Sequence, residues 1–193
     1  SFMINYIAFN YYTSGALLRL IDIGGGYKKL SNIVGGKFIN FSRSSDICLN
    51  PFTNIRDINE EIGVISAILA QMVYSATRKT PTETEMTLIK NAIRYVYDEH
   101  GPDANIDRVY EVLSAPKKSS QEIAELCQGD EDVAASCISD LVSVSTNLAF
   151  NLRSFTSDGE FGRWFNRQAT LNISDDRFVV LELEELKNQP DLF

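Results

Sequence analysis

Histidine and cysteine are scarce in this chain of 193 residues, and their scarcity excludes several kinds of site. His100 is the only histidine, which argues against zinc sites built from several imidazoles and against a Ser-His-Asp triad. Because Cys48, Cys127 and Cys137 include no closely spaced pair, neither a disulfide scaffold nor a cysteine zinc site is expected, and a reducing compartment fits best. We interpret the cysteines as small core residues and His100 as the C-terminal residue of a helix.

An excess of basic residues and a long apolar run are also lacking. The formal net charge is −8, and this argues against non-specific binding of nucleic acid, which depends on neutralising phosphates. No apolar run approaches the ~18 to 20 residues that a membrane-spanning helix requires. A hydrophobic fraction of 44% and a charged fraction of 23% are typical of a globular protein with one sizeable domain or a small domain plus an insertion.

The segment 17–30, LLRLIDIGGGYKKL, is the one around which the rest of the chain is organised. The apolar run Leu17–Ile23 predicts a central strand covered on both faces, and three glycines follow shortly after Asp22. In α/β proteins, ligands bind beyond the carboxyl ends of parallel strands, so this corner is the candidate site.

Two interpretations of the glycine corner remain open. Its backbone N–H groups could cradle a phosphate, with Lys28 or Lys29 adding positive charge. The corner could equally be a tight strand-to-helix turn, an interpretation that the residues alone favour slightly. The chain contains neither G-x-G-x-x-G here nor G-x-x-x-x-G-K-[ST] anywhere, so no dinucleotide or P-loop fingerprint decides between them.

The residues on either side of this corner predict α/β structure at both ends of the chain. Residues 2–12 are apolar and aromatic at helical spacing and predict a buried helix that stops at Gly15. A short helix over 27–34 is broken by two glycines. Strands are predicted over 37–41, 169–173 and 178–184. The sequence begins without a signal-like start and stops immediately after a strong predicted strand and turn, so both ends look cut.

The middle of the chain has helical periodicity throughout. Helices are predicted from Asn59, from Thr80 with Pro81 at the first helical position and an end at His100, over 105–115, from Ser119, and over 130–153. The predicted fold class is α/β with a large all-α insertion. The predicted organisation is a partial α/β core over 1–56, an all-helical subdomain over 57–158, and a return to the core over 159–193.

Two further groups of residues are candidate sites. Glu182–Glu185 alternates with leucines, which favours a half-solvated strand end over a metal site. Arg163 is flanked by aromatic residues, which favours a stacked structural arginine over an arginine finger.

Five motifs in order along the chain resemble one family. They are DIGGGYKKL at 22–30, GGKFINF at 35–41, LNPF at 49–52, FGRWF at 161–165 and FVVLELEEL at 178–186. Together they resemble the TraC-type conjugative ATPases of bacterial type IV secretion systems, over essentially the whole chain. The resemblance implies part of a RecA-like P-loop core with a helical, lid-like subdomain, lacking most of Walker A and all of Walker B.

The resemblance also implies which residues lie near the nucleotide. Ser1 would correspond to the hydroxyl residue that helps to hold Mg²⁺ at the start of the helix after the phosphate-binding loop. Asp22, Gly24, Gly25 and Gly26 would lie close to the nucleotide. ATP and Mg²⁺ are therefore implied for the intact protein. No catalytic residue and no cofactor are expected in the fragment itself, which should be inactive.

At the level of the whole protein, the resemblance implies a motor that powers pilus assembly or substrate translocation. It would assemble as a hexamer with other type IV secretion components, in the bacterial cytoplasm and peripheral at the inner membrane, with no direct nucleic-acid binding by this segment. The alternative is a helical protein-interaction module of a secretion machine that has no nucleotide role of its own. Cutting an α/β core exposes apolar surface, so we expect self-association through Phe178–Leu183 or the first helix.

Overall fold

The computed structural model describes residues 2–42, 45–77, 79–115, 131–171, 173 and 175–187. Its helices are α1 (Phe2–Thr13), α2 (Lys28–Ile33), α3 (Ile58–Val73), α4 (Glu83–His100), α5 (Ile106–Ser114) and α6 (Glu131–Leu152), and its strands are β1 (Leu18–Asp22), β2 (Lys37–Asn40) and β3 (Phe178–Glu182). Single 3-10 turns occur at Gly101–Asp103, Arg153–Phe155, Gly162–Trp164 and Glu184–Leu186. None of the helices in these ranges is long and apolar enough to cross a membrane.

The chain divides into two compact units, which we describe separately. The first comprises Ser1–Ile47 and Thr170–Phe193, and the second comprises Cys48–Ala169. The boundaries predicted from the sequence, at 56/57 and 158/159, both fall inside the second unit. In chain order the second unit is therefore an insertion within the first, and the predicted fold class, α/β with a large all-α insertion, is confirmed.

The first unit is built on a three-stranded parallel sheet with the order β1-β3-β2. Leu18 lies opposite Phe178, and Phe38 lies opposite Val180. The central strand is thus β3, whose residues Phe178, Val179 and Val180 are at most 1% exposed. The prediction that Leu17–Ile23 is a central strand covered on both faces is wrong, because among the described strands β1 has a neighbour on one side only.

Helix α1 packs one narrow side against this sheet. Ala8 is buried with Phe178 and Val180, and the Tyr12 ring meets the Phe178 ring edge-on at 5.7 Å between centroids. The Tyr12 hydroxyl donates a hydrogen bond to the Val34 carbonyl at 3.1 Å, and the Arg177 guanidinium lies 4.8 Å from the Tyr12 ring centroid. The prediction that α1 is a buried helix is wrong, because Ala8 is its only buried residue.

The second unit is helical, with its core between α3, α4, α5 and α6. Side chains that are less than 2% exposed include Leu69, Ile89, Ile93, Val96, Ile106, Val109, Leu148 and Leu152. Cys48 is fully buried, and its thiol donates to the Arg167 carbonyl, as expected of a core cysteine. The helix predicted to start at Ser119 lies outside the described residues, as does Cys127.

Helix α4 begins two residues later than predicted, because its N-cap is Thr82 and not Thr80. The Thr82 hydroxyl accepts the Glu85 N–H at 3.3 Å, and the Glu85 carboxylate accepts the Thr82 N–H at 2.7 Å. This reciprocal pair is a capping box, and it leaves Pro81 outside the helix. The helix ends at His100, as predicted, and Gly101 follows with a φ of 53°.

Glu85 also accepts a hydrogen bond from the buried Tyr74 hydroxyl at the C-terminal end of α3. Burial, followed by the hydrogen bond to Glu85, raises the pKa of Tyr74 far above its ordinary range. Burial also opposes ionisation of Glu85, but the hydrogen bonds from Tyr74 and Thr82 and the nearby Lys79 outweigh it. The pKa of Glu85 is therefore lowered from its ordinary value of 4.5.

We predict that Glu85→Gln lowers the free energy of unfolding of the second unit by about 1 kcal/mol at neutral pH, because Thr82 and Tyr74 then donate to a neutral amide oxygen in place of a charged carboxylate. Because the pKa of Glu85 is lower in the folded than in the unfolded protein, its ionised carboxylate stabilises the fold at pH values above the unfolded-state pKa. The difference in unfolding free energy between the variant and the parent protein should therefore persist above about pH 4.5 and shrink as the pH falls further. Urea titrations followed by the fluorescence of Trp164, the single tryptophan, measure it. An equal difference in unfolding free energy at about pH 3.5 and pH 7 would contradict a stabilising role of the ionised Glu85 carboxylate.

An aromatic group lies at the C-terminal end of the second unit. Phe155 meets Phe161 at 5.3 Å and Phe165 at 5.8 Å, and Phe161 stacks on Trp164 at 6.2 Å. The Arg163 guanidinium lies 5.6 Å from the Trp164 ring centroid, which agrees with a stacked structural arginine. The predicted strand at 169–173 is wrong for residues 169–171 and 173, which form no strand.

Candidate functional site

The glycine corner lies at the carboxyl end of β1 and connects it to α2. Gly24 and Gly25 have φ values of 103° and 69°, in the left-handed region that glycine adopts without steric cost. The turn points the N–H groups of both residues toward a common side and forms a concave anion-binding nest. The sequence pattern Asp22-Ile23-Gly24-Gly25 thus folds into a turn whose donors converge.

The anion in this nest is a carboxylate of the chain itself. The Gly24 N–H donates to Glu182 Oε1 at 3.1 Å, and the Gly25 N–H donates to Glu182 Oε2 at 2.6 Å. The Glu184 N–H donates to Glu182 Oε1 at 2.9 Å. Glu182 is 5% exposed and terminates β3, so its carboxylate ties the end of the central strand to the glycine corner.

Asp22 supports the far side of the same turn. Its Oδ2 accepts the Tyr27 N–H at 3.0 Å, and the residue is buried. The Asn5 side chain of α1 donates to the Gly26 carbonyl at 3.2 Å. Two carboxylates from adjacent strand ends and one amide from α1 therefore fix the corner, which becomes a rigid edge of the first unit.

The residues of this corner do not fit a phosphate. Both convergent N–H groups already donate to Glu182, and a phosphate placed against them would meet two buried carboxylates. Lys28, which could have supplied positive charge, lies over the Phe38 ring at 5.9 Å. Within the described part of the chain, no group of three histidine, cysteine or acidic residues could hold a metal ion. The geometry thus favours the tight-turn interpretation.

The structure brings together four of the five site residues that the sequence predicted. Asp22, Gly24, Gly25 and Gly26 form one turn, whereas Ser1 lies outside the described residues. Their closeness to a nucleotide stays a prediction. Glu182 was missed as a partner of this turn, and its interpretation as a half-solvated strand residue is wrong because it is buried. The one signal in the sequence for this role of Glu182 was its position directly after a run of four apolar residues.

Comparisons with known proteins give a consistent result. The family model of the TraG P-loop domain matches residues 1–193. Protein TraC of Escherichia coli strain K12 is 26% identical over 179 residues, which is 93% of this chain and 18% of that protein. The structure of VirB4 of Thermoanaerobacter pseudethanolicus shares its fold, with a TM-score of 0.64 and 19% identity over 97% of this chain and 67% of that one. The chain thus spans about a fifth of the length of TraC.

Proposed function

The chain belongs to the TraG P-loop domain family, and from this membership we propose that it is a section of an ATPase of a type IV secretion or conjugative transfer system. The resemblance to TraC-type conjugative ATPases that the motifs indicated is thereby confirmed, as is a partial P-loop α/β core. In the proposed role, the whole protein hydrolyses ATP with Mg²⁺ and powers pilus assembly or substrate translocation.

One observation carries this proposal, namely the family match over all 193 residues, both the parallel sheet and the helical insertion. The glycine corner lies at the carboxyl ends of β1 and β3, the edge of a parallel sheet where nucleotides bind in α/β proteins. This location supports the proposal that the corner borders the nucleotide. Because its donors are satisfied internally, we assign it a positioning role and not a phosphate-binding one.

The remaining elements of the proposal concern the whole protein. The chain contains no G-x-x-x-x-G-K-[ST] motif, so the groups that hold the triphosphate come from elsewhere in the polypeptide, with Ser1 as the proposed hydroxyl near Mg²⁺. The whole protein is proposed to act as a hexamer with other secretion components at the cytoplasmic face of the inner membrane. The 193 residues alone are proposed to have no ATPase activity.

The positioning role predicts that Gly25→Ala in the full-length protein lowers ATP turnover at least about tenfold, because a small displacement near reacting groups has large kinetic effects. Gly35→Ala is the matched control. Gly35 has a φ of 65°, close to the 69° of Gly25, and a Cβ at either position meets no atom closer than 3.9 Å. Both variants should therefore lose a similar stability, of about 1 kcal/mol.

The measurement is steady-state ATP hydrolysis by both variants and the parent protein, with their melting temperatures recorded alongside. Equal turnover of the two variants would contradict a nucleotide-proximal corner and would favour the alternative of a helical interaction module. Turnover by the isolated 193-residue chain would contradict the proposal that the triphosphate is held from outside it.

A further inference from the structure

Asn5 connects helix α1 to the glycine corner. Its side-chain amide Nδ2 donates a hydrogen bond to the Gly26 carbonyl at 3.2 Å. Asn5 is the fourth residue of α1, about one turn from the start of the helix. It is also the only amide side chain among residues 2–9, which are otherwise phenylalanine, methionine, isoleucine, tyrosine and alanine. Because asparagine is unfavourable inside a helix, the contact with the corner explains this residue better than helix formation does.

The peptide group between Gly26 and Tyr27 is held from both sides. Its carbonyl accepts the hydrogen bond from Asn5, and its N–H donates to Asp22 Oδ2 at 3.0 Å. Asp22 is 8% exposed and is the last residue of β1. Since a peptide group is planar and rigid, its N–H and C=O cannot turn separately. A movement of the start of α1 is therefore transmitted to the turn that Asp22 holds.

The same turn carries the donors to the central strand. The Gly24 and Gly25 N–H groups bind the carboxylate of Glu182 at the end of β3. A continuous series of hydrogen bonds thus runs from the first turns of α1, through the glycine corner, to the end of β3. The other end of α1 has a separate contact, in which the Tyr12 hydroxyl donates to the Val34 carbonyl after α2.

We propose that Asn5 is a positioning residue that couples nucleotide binding to the closed state of the glycine corner. The inference rests on the proposed function, under which Ser1, directly before α1 in the sequence, lies near Mg²⁺ in the whole protein. A nucleotide that fixes the start of α1 also fixes Asn5, so the corner can then open only if the hydrogen bond to Gly26 breaks. Without nucleotide, the start of α1 can move together with the corner.

Amide hydrogen exchange at Gly24 and Gly25 tests the inference in the full-length protein, with and without saturating Mg-ADP. Coupled sites typically change each other's equilibria by about 5- to 150-fold, so Mg-ADP should slow this exchange at least about fivefold. In Asn5→Ala the slowing should fall below about twofold, because α1 no longer holds the Gly26 carbonyl. The hydrogen bond is exposed, so water can replace the lost donor and the protein stays folded.

Asn10→Ala is the matched control. Asn10 lies in the same helix, and its Nδ2 donates at 2.7 Å to the carbonyl of Tyr6, one turn earlier in α1. Both variants remove an asparagine amide from α1 and gain the helix propensity of alanine, but Asn10→Ala should keep the full slowing by Mg-ADP. A merely structural Asn5 would change exchange equally with and without Mg-ADP. Slow exchange of the amides of Val179 and Val180, which are fully buried, reports that each protein is folded.

Equal slowing by Mg-ADP in Asn5→Ala and Asn10→Ala would overturn the inference. Exchange at the corner of the parent protein that Mg-ADP does not change, although calorimetry shows that it binds, would overturn it as well. Both results would leave the proposed function standing. Failure of the full-length parent protein to bind Mg-ADP in calorimetry would contradict the proposed function, and the inference with it.

Discussion

Replacing Gly162 by alanine is expected to destabilise the second unit by about 4 kcal/mol or more, an effect at the extreme of single substitutions. A Cβ at this position would lie 1.9 Å from the Thr156 carbonyl oxygen and 2.8 Å from Ser157 Cα. These are backbone atoms, so no side-chain rotation relieves the clash. The turn that carries Phe161 and Trp164 must move away from residues 154–157, and the aromatic group must separate.

Gly63→Ala provides the matched control for Gly162→Ala. Gly63 lies inside α3, is exposed, and has no atom within 4 Å of a built Cβ. Alanine there should stabilise the unit by about 0.5 to 1 kcal/mol, because glycine loses more backbone entropy in a helix. Urea unfolding followed by Trp164 fluorescence measures both variants. A loss of less than about 1 kcal/mol in the free energy of unfolding of Gly162→Ala would contradict the close approach of the Thr156 backbone to Gly162.

The second large effect is expected at Glu182. Glu182→Ala removes the acceptor of three buried or partly buried N–H groups, those of Gly24, Gly25 and Glu184. Hydrogen bonds to a charged group contribute roughly 1.5 to 3 kcal/mol each, and unpaired donors add a penalty. Allowing for solvent reaching the opened turn, we expect the first unit to lose about 3 to 5 kcal/mol.

The effect of Glu182→Ala is measured by hydrogen exchange of the slowest amides in β3. Their exchange should accelerate at least about a hundredfold, because each 1.4 kcal/mol of lost stability corresponds to a factor of ten. Glu182→Gln keeps one acceptor oxygen and should give an intermediate effect. Glu185→Ala, three residues along and exposed, should change the rates by less than about threefold. Equal rates for Glu182→Ala and Glu185→Ala would show that the glycine corner does not depend on the carboxylate.

Local sequence signals predicted most of the elements but not which strand is central. The capping residues and apolar periodicity of α3 to α5, and the short strand β2, depend on neighbouring residues and were predicted to within a few positions. Leu17–Ile23 and Phe178–Leu181 are both apolar runs, and periodicity cannot tell an edge strand from a central one when the pairing partners are some 160 residues apart.

The candidate site was only half predictable for the same reason. The three glycines predicted a turn because glycine adopts conformations that other residues avoid. The hydrogen bond between Asp22 and Tyr27 is also local, since the two residues are five positions apart. Glu182 reaches Gly25 across 157 residues, so its alternation with leucines resembled an ordinary half-solvated strand end. The apolar composition of α1 predicted a buried helix, but composition could not show that Ala8 is its only buried residue.

The strand order β1-β3-β2 also limits when the sheet can form during synthesis. β1 and β2 do not pair with each other, and their shared neighbour β3 follows only after the whole of the second unit, residues 48–169, has been made. During synthesis, the helical unit has its complete set of local contacts before the sheet has any. The glycine corner therefore remains without its carboxylate until Glu182 leaves the ribosome, and the sheet cannot close before that point.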